Sequence, residues 1–127
     1  MHYKFATLLI LLNLSFPAVA QDIKADPCAD PMTQTDMNMC AFESFERADT
    51  QMVEVFERAR EHFSDKEMKE RFVQSHEVWR QYRDNHCEFS ADQYKGGTIR
   101  PLILAACMET LTQERTWHIV NLFPEWD

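Results

Sequence analysis

Three histidines, His76, His86 and His118, are the side chains of this chain best suited to general acid–base work, because an imidazole titrates near neutral pH. Asp84 and Glu88 can serve as acids, and Ser64, Ser75 and Ser90 are the candidate nucleophiles. None of these serines lies in a Gly-x-Ser-x-Gly elbow. Helical spacing puts all three histidines on inward-facing positions, where an imidazole with no nucleophile motif beside it is a packing residue. No catalysis is expected, and no cofactor. The four cysteines, Cys28, Cys40, Cys87 and Cys107, carry the remaining chemistry. A zinc site needs closely spaced ligands, and the chain has neither Cys-x-x-Cys nor His-x-x-x-His. The expectation is therefore no metal and two disulfides, which four cysteines can pair in three ways.

The compartment supports that reading. Met1 to Ala20 has the order of a secretory signal: Lys4, an apolar run from Phe5 to Leu14, then Ala18-Val19-Ala20 ahead of Gln21. The run is short for a membrane span and is interrupted by Asn13 and Pro17. Two regions follow, a signal peptide over 1–20 and a helical domain over 21–127. With no cysteine at the cleavage site, no lipid or membrane anchor is expected after cleavage. The location is periplasmic or secreted, where disulfides form. The formal net charge is −8, and Lys4 is the one formally charged residue of the signal, so its removal leaves −8 − 1 = −9. Such a surface repels nucleic acid and anionic lipid and attracts basic proteins.

The elements that position these residues are helical. Gln21 to Met32 reads as an irregular arm, because Pro27 and Pro31 oppose a helix. Thr33 or Thr35 can cap a long helix running to about Phe63, whose Ala41, Phe45, Ala48, Met52, Val55, Phe56, Ala59 and Phe63 form one apolar stripe. Asp36, Glu43, Glu46, Glu54, Glu57 and Glu61 line the opposite face, softened by Glu43 with Arg47 and Glu54 with Arg58 at i,i+4 spacing. Ser64 or Asp65 starts a second helix with Met68, Phe72, Ser75, His76, Trp79, Tyr82, Arg83 and His86 on its inner face. Gly96-Gly97 stop it, and Thr98 caps a third helix from about Ile99 to Leu122, with Ile103, Cys107, Thr110, Leu111, His118 and Asn121 inward. Pro124 and Trp126 close the chain. The class is all-α, an antiparallel three-helix domain with an N-terminal arm, stapled by two disulfides.

Helix arithmetic bears on the pairing. From a turn near Ser64, Cys40 and Cys87 each lie roughly 35 Å along opposing helices at about 1.5 Å per residue, and a turn near Gly96 puts Cys107 level with both. Cys40 points roughly 140° away from Phe45, toward the flank where the arm can return. Direction thus favours Cys28 with Cys40 and Cys87 with Cys107, with the two other connectivities left open.

Cys28, then TQTDMNMC ending at Cys40, WRQYRDNHC, GGTIRPLILAAC and Leu111-Thr112-x-x-Arg115, in that order, resemble the lysozyme-inhibitor LprI-type domain of secreted bacterial proteins. The resemblance covers nearly the whole mature chain. It implies a small exported helical domain, in some members an inhibitor of lysozyme. The expected partner is then a protein, a basic lysozyme, whose cleft holds a carboxylate pair. An acidic inhibitor is steered to the basic rim, and a rigid turn can enter the cleft. Tyr94, Lys95, Gly96, Gly97, Thr98 and Arg100 form that turn, with Lys95 or Arg100 against the carboxylates and Thr98 as hydrogen-bonding partner. The bland reading of the same residues is a helix connector. Trp79, Tyr82, Arg83 and Asp84 likewise read as a recognition patch or as structure, and their stripe favours structure, with Trp79 and Tyr82 in the core and Arg83 bonded to helix ends or acids. The alternatives to inhibition are a periplasmic immunity or adaptor protein for another cell-wall enzyme or envelope partner, and a structural envelope protein.

Overall fold

The computed structural model describes residue 26 and residues 28–123. The signal region over 1–20, the arm residues 21–25 with Pro27, and Pro124 and Trp126 lie outside the described residues. Three helices follow one another: α1 (Gln34–His62), α2 (Lys66–Asp92) and α3 (Arg100–Val120), with no strand among the described residues.

α1 starts at a capping box. The Thr33 hydroxyl accepts from the Asp36 N–H and the Asp36 carboxylate accepts from the Thr33 N–H, each at 3.1 Å, which satisfies two otherwise orphaned donors. Its expected stripe is the inner face, with Ala48, Met52, Phe56 and Ala59 buried. Phe63 is the C-cap, and Asp65 caps α2 by accepting from the Met68 N–H at 2.8 Å.

On α2 the buried line runs through Phe72, His76, Arg83, Cys87 and Ala91, with Trp79 half-buried against the core. Tyr82, expected in the core, is 54% exposed, and Met68, Ser75 and His86 are also exposed. The cause is rotational. Arg83 and Cys87 both point inward, and Tyr82 and His86 each sit one residue, about 100°, away from them.

α3 departs further from expectation. Its N-cap is Ile99 and not Thr98, with no side-chain capping bond. Pro101 occupies the second helical position and has no N–H for a cap to satisfy, so the helix loses little by starting uncapped. The buried face is Ala105, Thr112 and Ile119, at seven-residue steps. Thr110, His118 and Asn121 are exposed, and Ile103, Cys107 and Leu111 only half-buried.

The helices run up, down and up. Phe56 stacks on Phe72 at 5.1 Å while Asp49 meets Arg83, so α1 and α2 are antiparallel. Ser75 meets Arg115 while Cys87 meets Cys107, so α2 and α3 are antiparallel too. α3 packs mainly on α1, then on α2. The apolar core, Met52, Phe56, Ala59, Phe72, Ile119 and Phe123, sits toward the end where α1 turns into α2. Burial of each large side chain there contributes about 1.5–3 kcal/mol. Both bridges lie toward the other end: Cys28–Cys40 ties the arm to α1, and Cys87–Cys107 ties α2 to α3, each with Cα atoms 5.5 Å apart. This is the favoured connectivity, and no cysteine is free.

Candidate functional site

The turn between α2 and α3 is built from backbone bonds and one guanidinium. Tyr94 N–H donates to Ala91 C=O at 2.9 Å, Lys95 N–H to Asp92 C=O at 3.1 Å and Gly97 N–H to Tyr94 C=O at 2.9 Å. Gly96 has φ +83°, the left-handed region that a side chain disfavours. Gly97 is needed for space, because a Cβ there would stand 3.1 Å from the Tyr94 carbonyl oxygen. Asn38 on α1 donates through Nδ2 to the Thr98 carbonyl at 2.9 Å, so the tip is tied to the start of α1.

Arg100 does not point outward as a free cation. Its Nη2 bonds Glu88 and, at 2.8 Å, Asp92, while Nε donates to Asp92 at 3.2 Å. The bonds to Asp92 and Glu88 raise its pKa above the ordinary arginine value. Its charge is balanced within the chain, and its fork fastens α3 to the last turns of α2. Lys95 is exposed at the tip beside Tyr94, which is 45% exposed. Of the two cations in the turn, Lys95 is the one presented to solvent.

The second set, Trp79, Tyr82, Arg83 and Asp84, divides. Arg83 is 5% exposed and connects all three helices. Its Nη1 donates to Asp49 at 2.8 Å and to the Thr112 hydroxyl at 3.1 Å, and its Nε donates to Asp84 at 2.9 Å. The guanidinium carbon also lies 5.3 Å from the Phe45 ring centre and 5.2 Å from that of Trp79. Arg115 covers Trp79 at 5.7 Å and reaches the Ser75 hydroxyl at 3.4 Å. Trp79, Arg83 and Asp84 thus share one cluster of contacts, and Tyr82 stands outside it.

Asp49 and Thr112 escaped the sequence reading as partners of Arg83. Asp49 follows the buried Ala48 on the edge of the α1 stripe, the one acid of that helix placed to meet an inward arginine. Thr112 was legible only as part of the Leu-Thr-x-x-Arg pattern.

Of the three candidate histidines, only His76 is inward. It is stacked between Phe56 at 4.1 Å and Trp79 at 5.3 Å, and its Nδ1 has no hydrogen-bond partner among the described residues. Burial, then the positive charges of Arg115, Arg80 and Arg83, lower its pKa to about 4. It is neutral at pH 7, a packing residue with one ring nitrogen left without a partner among the described residues. His86 stacks on Tyr82 at 5.4 Å and His118 lies edge-on to Trp117 at 5.2 Å, both on the surface.

The acidic stripe of α1 is partly compensated. Arg60 pairs with Glu57 at 2.7 Å and with Glu61 at 3.2 Å, and Lys69 of α2 reaches Glu61 at 3.6 Å. Toward its start, Glu43 and Glu46 line a shallow depression together with Arg47 and Thr50. No helix among the described residues is long and apolar enough to cross a membrane. No group of three or more His, Cys, Asp and Glu among them is placed to hold a metal.

Comparison with known proteins adds two findings. A family model described as "Lysozyme inhibitor LprI" matches residues 26–117, which takes in both disulfides, the Arg83 cluster and the whole turn. An uncharacterized protein of Rhizobium meliloti (strain 1021), R02472, is 28% identical over 127 residues, 91% of this chain and 91% of its own. No solved structure matches.

Proposed function

The chain belongs to the lysozyme inhibitor LprI family, and from that premise we propose that it is an exported protein that binds a bacteriolytic muramidase and blocks its cleft, without catalysis of its own. The family match over residues 26–117 is the single observation that carries the reading. The signal-like residues 1–20 and the two disulfides support action in the periplasm or outside the cell, as a domain of residues 21–127 released from its signal.

The turn from Tyr94 to Arg100 is the element proposed to enter the cleft. It projects from one end of the bundle, is tied back through Asn38 and Arg100, and carries one solvent-facing ammonium, that of Lys95. A rigid turn loses little freedom on docking. Lys95 takes the role of pairing with a cleft carboxylate, Tyr94 and Thr98 flank it, and Arg100 serves by holding the turn's shape. The net charge of −9 left after removal of the signal supplies long-range attraction to a basic enzyme.

The test is inhibition and binding of the mature, oxidised chain against a small panel of lysozymes at two salt concentrations. Tight inhibition of at least one basic muramidase, weakened at the higher salt, is the expected result. Absence of binding to all of them at low salt would refute it and leave an immunity or adaptor role toward another cell-wall enzyme or envelope partner, or a structural envelope role.

A further inference from the structure

An uncharged strip runs along the outer flank of α2. Val78, Tyr82, His86 and Phe89 follow one another at steps of four, four and three residues, which aligns them on one side of a helix. Val78 is 60% exposed and Phe89 73%, and Tyr82 stacks on His86. Scattered exposed apolar residues need no explanation, but four in register form a patch. A groove of about 370 Å³ beside it is lined by His86, Ser90, Ile103, Ala106 and Leu111 next to the Cys107 bridge. Neither strip nor groove holds a formally charged side chain, in a protein that is 27% charged. The charged residues of the same helix stretch are engaged elsewhere: Arg80 with Glu77, Asp84 with Arg83, and Glu88 with Arg100.

We propose that this strip joins two copies of the chain across a two-fold axis, with α2 antiparallel to α2. A two-fold contact sets residue i against j and j against i. About a midpoint level with Asp84, Tyr82 of one copy falls opposite His86 of the other, and Val78 opposite Phe89 to within one residue. The strip is self-complementary, so each ring or apolar side chain meets another.

Charge selects a second copy over a basic protein as occupant. Two mature chains of −9 repel wherever their acidic faces approach, and here they meet with no like charge between them. A basic partner gains attraction from the α1 face and none from this one. With about 100 Å² offered by each of the four side chains, the pair of strips buries about 800 Å² in total, the scale of a weak, reversible association. The dimer is expected to form with a Kd on the order of 10–100 µM. It does not depend on the muramidase reading.

Sedimentation equilibrium of the mature, oxidised chain, from a few µM to about 1 mM around that Kd, tests the proposal. The mass should rise from monomer to dimer. Tyr82→Glu and Phe89→Glu should each weaken the dimer at least about tenfold, because the axis doubles every introduced charge. Phe89→Ser should weaken it less. Circular dichroism and melting of all three should match the parent, since these side chains are exposed, while Glu46→Gln on α1 should leave the dimer intact. A parent that stays monomeric throughout, or a dimer indifferent to both glutamates, overturns the proposal. So does a monomeric parent whose muramidase inhibition is lost in Phe89→Glu, because the strip would then receive the enzyme.

Discussion

Replacing Arg83 with Ala tests what holds the three helices in register. The side chain gives three hydrogen bonds, to Asp49, Asp84 and Thr112, and lies against the rings of Phe45 and Trp79. Each bond to a charged group is worth about 1.5–3 kcal/mol net when buried. That figure must be cut for the two ion pairs, because the Asp49 and Asp84 side chains are 38% and 49% exposed and can rehydrate once released. The loss on the inner side is not recoverable. Thr112 is fully buried and loses its donor, and the ring faces lose a cation worth about 1 kcal/mol and gain a gap. A total of about 3–4 kcal/mol is expected, in the range for breaking a buried pair and a large share of the roughly 5–15 kcal/mol of a typical domain. Arg83→Lys should restore less than half, because an ammonium cannot reach the three acceptors in the geometry of the fork. Urea denaturation with the bridges intact reads the loss as a lower midpoint at unchanged m. A loss below about 1 kcal/mol for Arg83→Ala, against that 3–4, would show that the cluster is not what joins the helices.

His76 has a pKa of about 4 in the fold against 6.5 in the free side chain, so between those values the unfolded chain binds more protons. Its share of stability is complete above about pH 6.5 and is lost as pH falls toward 4; His76→Phe should flatten the fall by about 1–3 kcal/mol relative to the parent, and equal pH profiles for the two proteins would contradict the assignment. Trp79→Ala should cost about 3–5 kcal/mol as a large-to-small change under His76, Arg83 and Arg115, with any loss of binding following the loss of folding. A Trp79→Ala protein as stable as the parent that no longer binds its partner would make the residue a recognition anchor. In muramidase inhibition, Lys95→Ala should raise the dissociation rate, while Glu54, Glu57 and Glu61 changed together to Gln should mainly slow association and reduce its salt dependence. Stopped-flow and surface-binding kinetics separate the two, and an unchanged dissociation rate in Lys95→Ala would return the turn to a mere connector.

What the sequence disclosed followed the strength of its periodicity. α1 with its C-cap Phe63 has eight apolar residues on one side and acids on the other, because it faces its neighbours with a single face, and its stripe and cap were legible. α3 packs on both α1 and α2, so apolar residues point in several directions and no one stripe stands out. The pattern through Ile103, Cys107 and Leu111 is there, but the face through Ala105, Thr112 and Ile119 is the buried one. Tyr82 was misplaced for a smaller reason, one position of rotation beside Arg83. Disulfide pairing was approachable because helix length sets height and angle sets direction. The partners of Arg83 come from 34 residues before it and 29 after it, and no local pattern shows such a meeting. In the turn, the glycines were legible as a bend but not as the helix stop, since α2 ends at Asp92 with Gln93 as its C-cap, and the closure of Arg100 onto Glu88 and Asp92 was not legible, because it depends on the angle at which α3 leaves.

The apolar core and the covalent bridges lie at opposite ends of the bundle. Around the bridges the buried residues are small, Ala91 and Ala105 beside Cys87, so little packing there depends on which side chains the neighbouring turn displays. Substitutions at Tyr94, Lys95 and Thr98 therefore leave the aromatic end untouched, and the ring closed by Cys87 and Cys107 keeps the tip in place while its chemistry changes. Under the proposed role of the turn, a lineage facing a new enzyme could revise the tip by single steps without passing through unfolded intermediates.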